Sequence, residues 1–247
     1  MADIAIEDPF RSQRLVYRAA ENNDKDKGFF HQLQKDPSHT IYANGNLLRP
    51  GNREASDDAF KGFMKSVLAV FICLPNPPAA IHSVDVPVRK DVGTDKVNPD
   101  NVSPLRPILS KSNEEEDYLT PIGILGLEGG SAGQFEYDVQ HRSVWLTVGI
   151  VKEYRDRGFG REAINWSLDW AFQLAGMHSV GLGCYEWNVR GRHLYESLGF
   201  TLGGVYRKEF YFNRKWYDGL FYSMLEDEWE ILRAKEKASE GEGSESK

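Results

Sequence analysis

The chain has 247 residues and a mass of 28.1 kDa, 40% hydrophobic and 27% charged, so it can bury a core without a disulfide or metal staple. Acidic residues outnumber basic ones 37 to 30, for a formal charge of -7, which argues against a dedicated nucleic-acid binder. Only two cysteines occur, Cys73 and Cys184, which excludes a disulfide framework or a multi-cysteine zinc site and fits a reducing, cytoplasmic compartment.

The amino terminus carries Asp3, Glu7 and Asp8 where a secretory leader needs basic and then apolar residues, so no signal is expected. Arg14 to Arg18 reads as a short strand, Asp57 to Ser66 as a helix opened by acidic residues, and Val67 to Leu74 as a buried strand. That last run is the longest apolar one and falls far short of the ~20 residues of a membrane span, so no membrane partner is expected. Eight of the 11 prolines then fall between Pro75 and Pro121, among Asn, Ser, Asp and Lys, with an acidic run from Glu114 to Asp117. Residues 75–119 therefore read as a long irregular insertion.

Beyond it, Val144, Leu146, Val148 and Ile150 alternate with Trp145, Thr147 and Gly149, the period of a strand. A turn rich in glycine and arginine follows. Ile164, Leu168, Ala171, Phe172 and Ala175 then recur at helical spacing, with Gly176 as the stop. Val180, Leu182 and Cys184 alternate with Ser179, Gly181 and Gly183, a strand with one nearly bare face. That face admits a closely approaching group or a tight contact with a neighbouring helix. Asn188 is placed to cap a helix over Val189–Leu198, ended by Gly199. Aromatic strands over Phe200–Phe212 and Trp216–Leu225 meet at the turn Asn213–Lys215. The stretch Lys235–Lys247 has no apolar anchor beyond Ala238 and reads as a disordered tail. Residues 1–234 are thus expected to form one α/β domain, with no internal repeat.

Chemistry concentrates first at Arg155, Asp156, Arg157, Gly158, Phe159, Gly160 and Arg161, between a strand and the start of a helix, with Lys152 close by. Glycines let the chain turn tightly and let an anion reach the amides, and a helix N-terminus adds unpaired N–H groups and a positive dipole end. This is the chemistry of a pyrophosphate cradle. Gly158, Gly160 and Ala163 also fit a dinucleotide fingerprint, but that reading needs a glycine turn directly after a strand, an acidic residue about 20 positions on, and further βαβ units. Those contexts are absent from the pattern.

The Arg-x-x-Gly-x-Gly run from Arg155 to Gly160, together with Asn188, Leu194, Tyr195, Gly199 and Phe200, resembles the two cofactor motifs of the GNAT superfamily of acetyl-CoA-dependent N-acetyltransferases. The similarity is to the branch with ribosomal-protein N-terminal acetyltransferases and spermidine acetyltransferase, and it runs from Val144 to Trp229. Arg14 to Tyr42 fits more loosely, and the insertion does not fit. The resemblance implies a mixed, mostly antiparallel central sheet flanked by helices. That sheet would split between two parallel strands ending near Ile150 and Tyr185 to form an acetyl-CoA cleft. It implies direct acetyl transfer to a primary amine in a ternary complex, without a metal, the acceptor being a protein N-terminus or a small-molecule amine. A non-catalytic acetyl-CoA-binding regulatory module is the alternative, and the oligomeric state is left open.

Position by position, the resemblance assigns Val148, Gly149 and Ile150 to the pantetheine arm, and Arg155, Arg157, Gly158, Phe159, Gly160 and Arg161 to the pyrophosphate. Asn188 and Arg192 fall to the cofactor as well, and Tyr195 to general acid for the departing thiolate. A tyrosine suits that role because its hydroxyl stays protonated at neutral pH yet donates to a basic sulfur. Glu186, at the end of the strand leaving the cleft, is the candidate base, acting through a water or by attracting the amine's charge. Cys184 has no nearby histidine in sequence and reads as a small hydrophobe rather than an acyl carrier. Lys152 and Gly191 depart from the family pattern, in which proline and alanine or serine are usual. The aromatic cluster Phe210, Tyr211, Phe212, Trp216, Tyr217, Phe221 and Tyr222 reads as sheet core and edge, or as the wall of an acceptor pocket or a dimer contact.

Overall fold

The computed structural model describes residues 8–44, 48–75, 119–132, 135–137 and 139–244. Their order is β1 (Val16–Ala19), α1 (Asp24–Lys35), α2 (Pro37–His39), α3 (Arg53–Phe63), β2 (Leu68–Pro75) and β3 (Leu119–Glu128). Then come β4 (Gly130–Ala132), β5 (Phe135–Tyr137), β6 (Ser143–Ile150), α4 (Phe159–Asp169), β7 (Ser179–Tyr185), α5 (Val189–Ser197), β8 (Thr201–Phe212), β9 (Lys215–Leu225) and α6 (Glu226–Ser244). The body of the expected insertion, 76–118, lies outside the described residues. Its two ends do not: Pro75 and Leu119 pair in register, so the segment leaves and returns at one end of a β2–β3 hairpin.

Seven strands form one sheet in the order β1-β2-β3-β6-β7-β9-β8, with β4 and β5 as a separate hairpin. Every neighbouring pair in the large sheet is antiparallel except β6–β7. β2 and β3 shift register between Ile72 and Cys73, beside the pairing of Cys73 with Pro121. A proline has no N–H for the ladder, so a strand carries it where pairing is already irregular.

Helices cover both faces. On one, Phe30 and Leu33 of α1 and Phe60 and Phe63 of α3 bury against Phe71, Cys73 and Ile124. On the other, Ala163, Ile164 and Leu168 of α4 join Val70, Leu125, Leu146, Val180 and Leu182 in the larger core. α1 was not apparent in the sequence; Asn23 starts it, its side chain accepting from the Asp26 N–H at 2.8 Å. α4 continues past Asp169 as a π turn over Trp170–Leu174. α6 docks on it through Trp229, whose ring Nε1 donates to Asp169 at 2.9 Å, and Arg233, whose Nε donates to the same carboxylate at 2.7 Å. The helix runs to Ser244, through the stretch expected to be a tail. The docked first turns nucleate it, and Lys235, Glu236, Lys237 and Ala238 are good helix formers that extend it.

The parallel pair is the feature that shapes the site. Only Ser143 with Ser179, Val144 with Val180 and Trp145 with Gly181 are in register. Beyond them β6 and β7 part, and residues 146–150 and 182–185 no longer pair with each other. The Trp145 ring fills the base of this fork, lying 2.9 Å from where a Cβ on Gly183 would stand. The bare face of β7 therefore meets an indole from the neighbouring strand rather than a helix.

Candidate active site

At the open end of β6 the chain makes a short 3-10 turn at Lys152–Tyr154 and then enters the basic segment. Asp156 and Gly158 both take positive φ, 65° and 82°, and Gly158 is the N-cap of α4. A residue without Cβ adopts this left-handed state at little cost. The first bond of α4 runs from the Glu162 N–H to the Gly158 carbonyl at 3.1 Å. The amides of Phe159, Gly160 and Arg161 precede it and have no intrahelical carbonyl, so they can meet an anion. These residues fit the diphosphate of a nucleotide-type ligand.

The arginines of the segment divide. Arg155 turns inward: its Nε donates to the Ile150 carbonyl at 2.8 Å, Nη1 to Ser38 Oγ at 2.6 Å and Nη2 to Asp36 at 3.1 Å. Its guanidinium ties the end of β6 to α2 rather than facing an anion. The Arg157 guanidinium stacks over Tyr154, 5.5 Å from the ring centre. Arg161 reaches α5, donating to Ser197 at 2.6 Å. Arg190, on the first turn of α5, pairs with Asp156.

A fifth arginine at this turn was missed by the sequence reading. Arg14 lies 4.6 Å over the Phe159 ring, donates to the Arg157 carbonyl at 3.0 Å and pairs with Glu162 at 2.7 Å. Burial pushes the Glu162 carboxyl up, but hydrogen bonds from Ser12 and Arg14 outweigh it and leave the net shift downward. More than 140 residues separate Arg14 from this turn, so no local pattern signals the contact.

Across the fork, Asn188 caps α5 by accepting from the Gly191 N–H at 3.0 Å and donates to the Tyr42 carbonyl at 3.3 Å. A Cβ on residue 191 would lie 2.6 Å from the Asn188 amide nitrogen, which accounts for glycine there. Arg192 reaches back to the Glu186 carbonyl at 3.4 Å, and its Nε is buried without a partner among the described residues. Tyr195 is half-buried on the inner side of α5, its ring 6.2 Å from Phe200 and 6.1 Å from Tyr222. Burial, with Cys184 close by, pushes its hydroxyl well above the ordinary phenol range, so it stays a proton donor at any neutral pH. The Cys184 thiol is itself pushed up to about 12 by burial, which makes it a poor nucleophile.

Glu186 is placed differently from a free base. Its carboxylate accepts the Asp218 N–H at 2.9 Å and its own N–H donates to the Asp218 carbonyl at 3.0 Å, so it extends the β7–β9 ladder. The expected aromatic cluster also splits. Tyr222 is in the core, Tyr211 and Trp216 are exposed, and Phe210, Phe212 and Tyr217 pack around Trp187. Trp187 Nε1 in turn donates to the Ile41 carbonyl at 3.0 Å, which draws the segment after α2 to the end of β7. At the last residue of α2 the His39 ring lies 2.9 Å from where a Cβ on Gly149 would stand, on the β6 arm of the fork. Burial and the Arg155 charge push it down to about 4, so it is neutral. Among the described residues, no three His, Cys, Asp or Glu side chains cluster as metal ligands, and no helix is long and apolar enough to cross a membrane.

Residues 107–200 match the acetyltransferase (GNAT) family model. A spermidine N(1)-acetyltransferase of Vibrio cholerae is 34% identical over 83 residues, 34% of this chain and 48% of that one. The Escherichia coli K12 protein of the same name is 26% identical over 88 residues, 36% of this chain and 47% of its own. The chain thus spans about half the length of the curated relatives it matches. Among solved structures, Vibrio cholerae spermidine N-acetyltransferase in complex with CoA and spermine superposes with a TM-score of 0.59 at 19% identity, over 88% of this chain and 99% of that one. A GNAT-family acetyltransferase from Bacillus anthracis gives 0.57 at 16% identity, over 88% and 98%.

Proposed function

From the premise that the chain carries a GNAT acetyltransferase domain, we propose that it moves the acetyl group of acetyl-CoA directly to a primary amine, both substrates bound at once, within residues 1–234. The observation that carries this reading is the fork: two strand arms, 146–150 and 182–185, open between the unpaired amides at the start of α4 and the Tyr195 hydroxyl. The amides of Phe159, Gly160 and Arg161 would hold the cofactor's diphosphate, with Arg14, Arg157 and Arg161 supplying positive charge around the turn. The edges of Val148, Gly149 and Ile150 would take the amide-bearing pantetheine arm, which lies in the gap as an added strand does. Asn188 and Arg192 would line the β7 side of that arm.

Holding thioester and amine together supplies much of the rate through proximity. As the nitrogen attacks the thioester carbon, the C–S bond breaks and the Tyr195 hydroxyl donates its proton to sulfur. The proton leaving nitrogen restores the tyrosine through solvent. The relatives named as spermidine acetyltransferases favour a small polycationic amine as acceptor over a protein N-terminus.

The test is CoA release from acetyl-CoA with a panel of spermidine, spermine, amino-terminal peptides and aminoglycosides. Acetylation of at least one amine, with polyamines fastest, is expected. CoA binding by calorimetry with no turnover on any member would instead support a regulatory CoA-binding module.

A further inference from the structure

We propose that Glu209 of β8 binds the acceptor's ammonium group and takes its proton, on the sheet face opposite Tyr195; this rests on the acetyl-transfer reading above. Strand register assigns the two faces. Gly183 is opposite Phe221, and Gly219 is opposite both Tyr185 and Tyr206. Directly opposed residues project to the same side of a sheet. Gly183, Tyr185, Tyr206, Gly219 and Phe221 therefore share one face, and Trp145 lies on it against Gly183, its ring 5.9 Å from Phe221. Cys184 and Tyr222 point the other way, into the core beside Tyr195. An amine approaching over Gly183 would thus meet the thioester in the fork from the side away from the general acid. The two proton transfers then fall to different groups.

Glu209 reaches that approach face because β8 bulges. Register shifts between Tyr206 and Phe210, Lys208 takes φ of 53°, and its N–H donates to Asp218 at 2.8 Å. The bulge re-aims one side chain. The Glu209 carboxylate lies on the β9 backbone at Gly219, in space that a Cβ there would occupy. Its Oε2 is buried with no hydrogen-bond partner, and no ion pair to Glu209 occurs among the described residues. A buried acceptor oxygen without a donor is costly, and a ligand ammonium carries three N–H donors. The charged and titratable groups on the paired strands beside it are Tyr185 on β7, Tyr206, Arg207 and Lys208 on β8, and Tyr217 and Asp218 on β9, with Glu186 beyond β7, whose carboxylate is taken by the Asp218 N–H; among the described residues no ion pair joins any of these cations to Glu209. Burial raises the Glu209 carboxyl above the ordinary range, and Glu209 in turn helps burial and Cys184 push Tyr185 up to about 12. A raised carboxyl is the stronger base toward an ammonium. The ammonium gives one proton to Glu209, which passes it to water. The neutral nitrogen then attacks, and the C–N bond forms as the C–S bond breaks.

Glu209→Gln keeps size and removes charge. With the panel amine that the wild-type protein acetylates fastest, kcat/KM should fall about 100-fold near pH 7, in the range of a lost general base. The loss should shrink as pH rises toward the amine's own pKa, where free base is supplied by solution, while CoA binding by calorimetry stays at the wild-type value. Gly219→Ala, which displaces the carboxylate without removing it, should lower the same constant and also leave CoA binding intact. A Glu209→Gln profile that tracks wild type at every pH overturns this assignment alone. A wild-type protein that acetylates no amine overturns the acetyl-transfer reading and this one with it.

Discussion

Arg155 donates from Nε to the carbonyl of Ile150 at 2.8 Å, and the same guanidinium bonds Ser38 and pairs with Asp36. The first arginine of the Arg155–Gly160 run is thereby a clamp between the free end of β6 and α2. Burial pushes the Asp36 carboxyl up, but the Ser38 hydrogen bonds and the Arg155 charge bring it below its ordinary range. Arg155→Ala removes the cation beside the Asp36 carboxylate, which keeps its Ser38 donors, and the side-chain donor to the Ile150 carbonyl. A loss of about 1–3 kcal/mol in urea unfolding is expected, with weaker CoA binding as a consequence of a loosened β6. Unchanged stability would show that the clamp carries no load.

Tyr195→Phe removes only the hydroxyl from a side chain that packs edge-on to Phe200 and at a tilt to Tyr222. The expected result is kcat down by about 100-fold or more, with CoA affinity and unfolding midpoint near wild type. Steady-state kinetics beside calorimetry decides it. Equal losses in CoA binding and turnover would make the residue a packing group.

Gly183→Ala drives a methyl into the Trp145 ring at the base of the fork. Overpacking of this kind costs about 1–3 kcal/mol. Pairing it with Trp145→Leu should return most of that stability, because the clash is with one side chain. A double-mutant cycle in urea reads the coupling, and strict additivity would place the strain elsewhere.

His39 sets a pH dependence whose sign follows from its burial. Its folded pKa is pushed down to about 4 by burial first and the Arg155 charge second, with Asp36 opposing, against the ordinary imidazole value of 6.5. The unfolded chain therefore binds the extra proton between those values, and stability present above pH 6.5 is lost as pH falls toward 4. The size is ~3 kcal/mol at about 1.4 kcal/mol per pH unit of separation. His39→Gln should flatten this part of the acid limb in unfolding curves recorded from pH 7 to 4. A slope unaltered by the substitution would mean that other groups titrate there.

The turn, the helix caps and the strand alternation were legible because each is local. Gly158 and Gly160 open a helix, Asn188 begins the next one, and the alternation of Val144, Leu146, Val148 and Ile150 needs no distant partner to be seen. α1 escaped notice because its buried positions, Asp26, Phe30 and Leu33, include a carboxylate. That carboxylate is satisfied by Arg18 of β1 at 2.6 Å, a pairing no helical period announces. The helical reach of α6 through Lys237 escaped for the opposite reason, since polar composition alone does not count the turns already docked by Trp229 and Arg233.

What the sequence determined by itself is the order of elements from β6 to β9, the glycine turn that opens α4 and the Asn188 cap that opens α5. Backbone preference and short-range periodicity are enough to fix those. What the tertiary structure alone decided is which side each group faces and which partner takes it. Asp36 and Ser38 hold the Arg155 guanidinium at the end of β6, Asp218 takes the carboxylate of Glu186, and the β8 bulge turns Glu209 onto Gly219. Those outcomes rest on contacts between strands and loops far apart along the chain. A charged side chain goes to whichever buried partner the pairing register brings within hydrogen-bond reach.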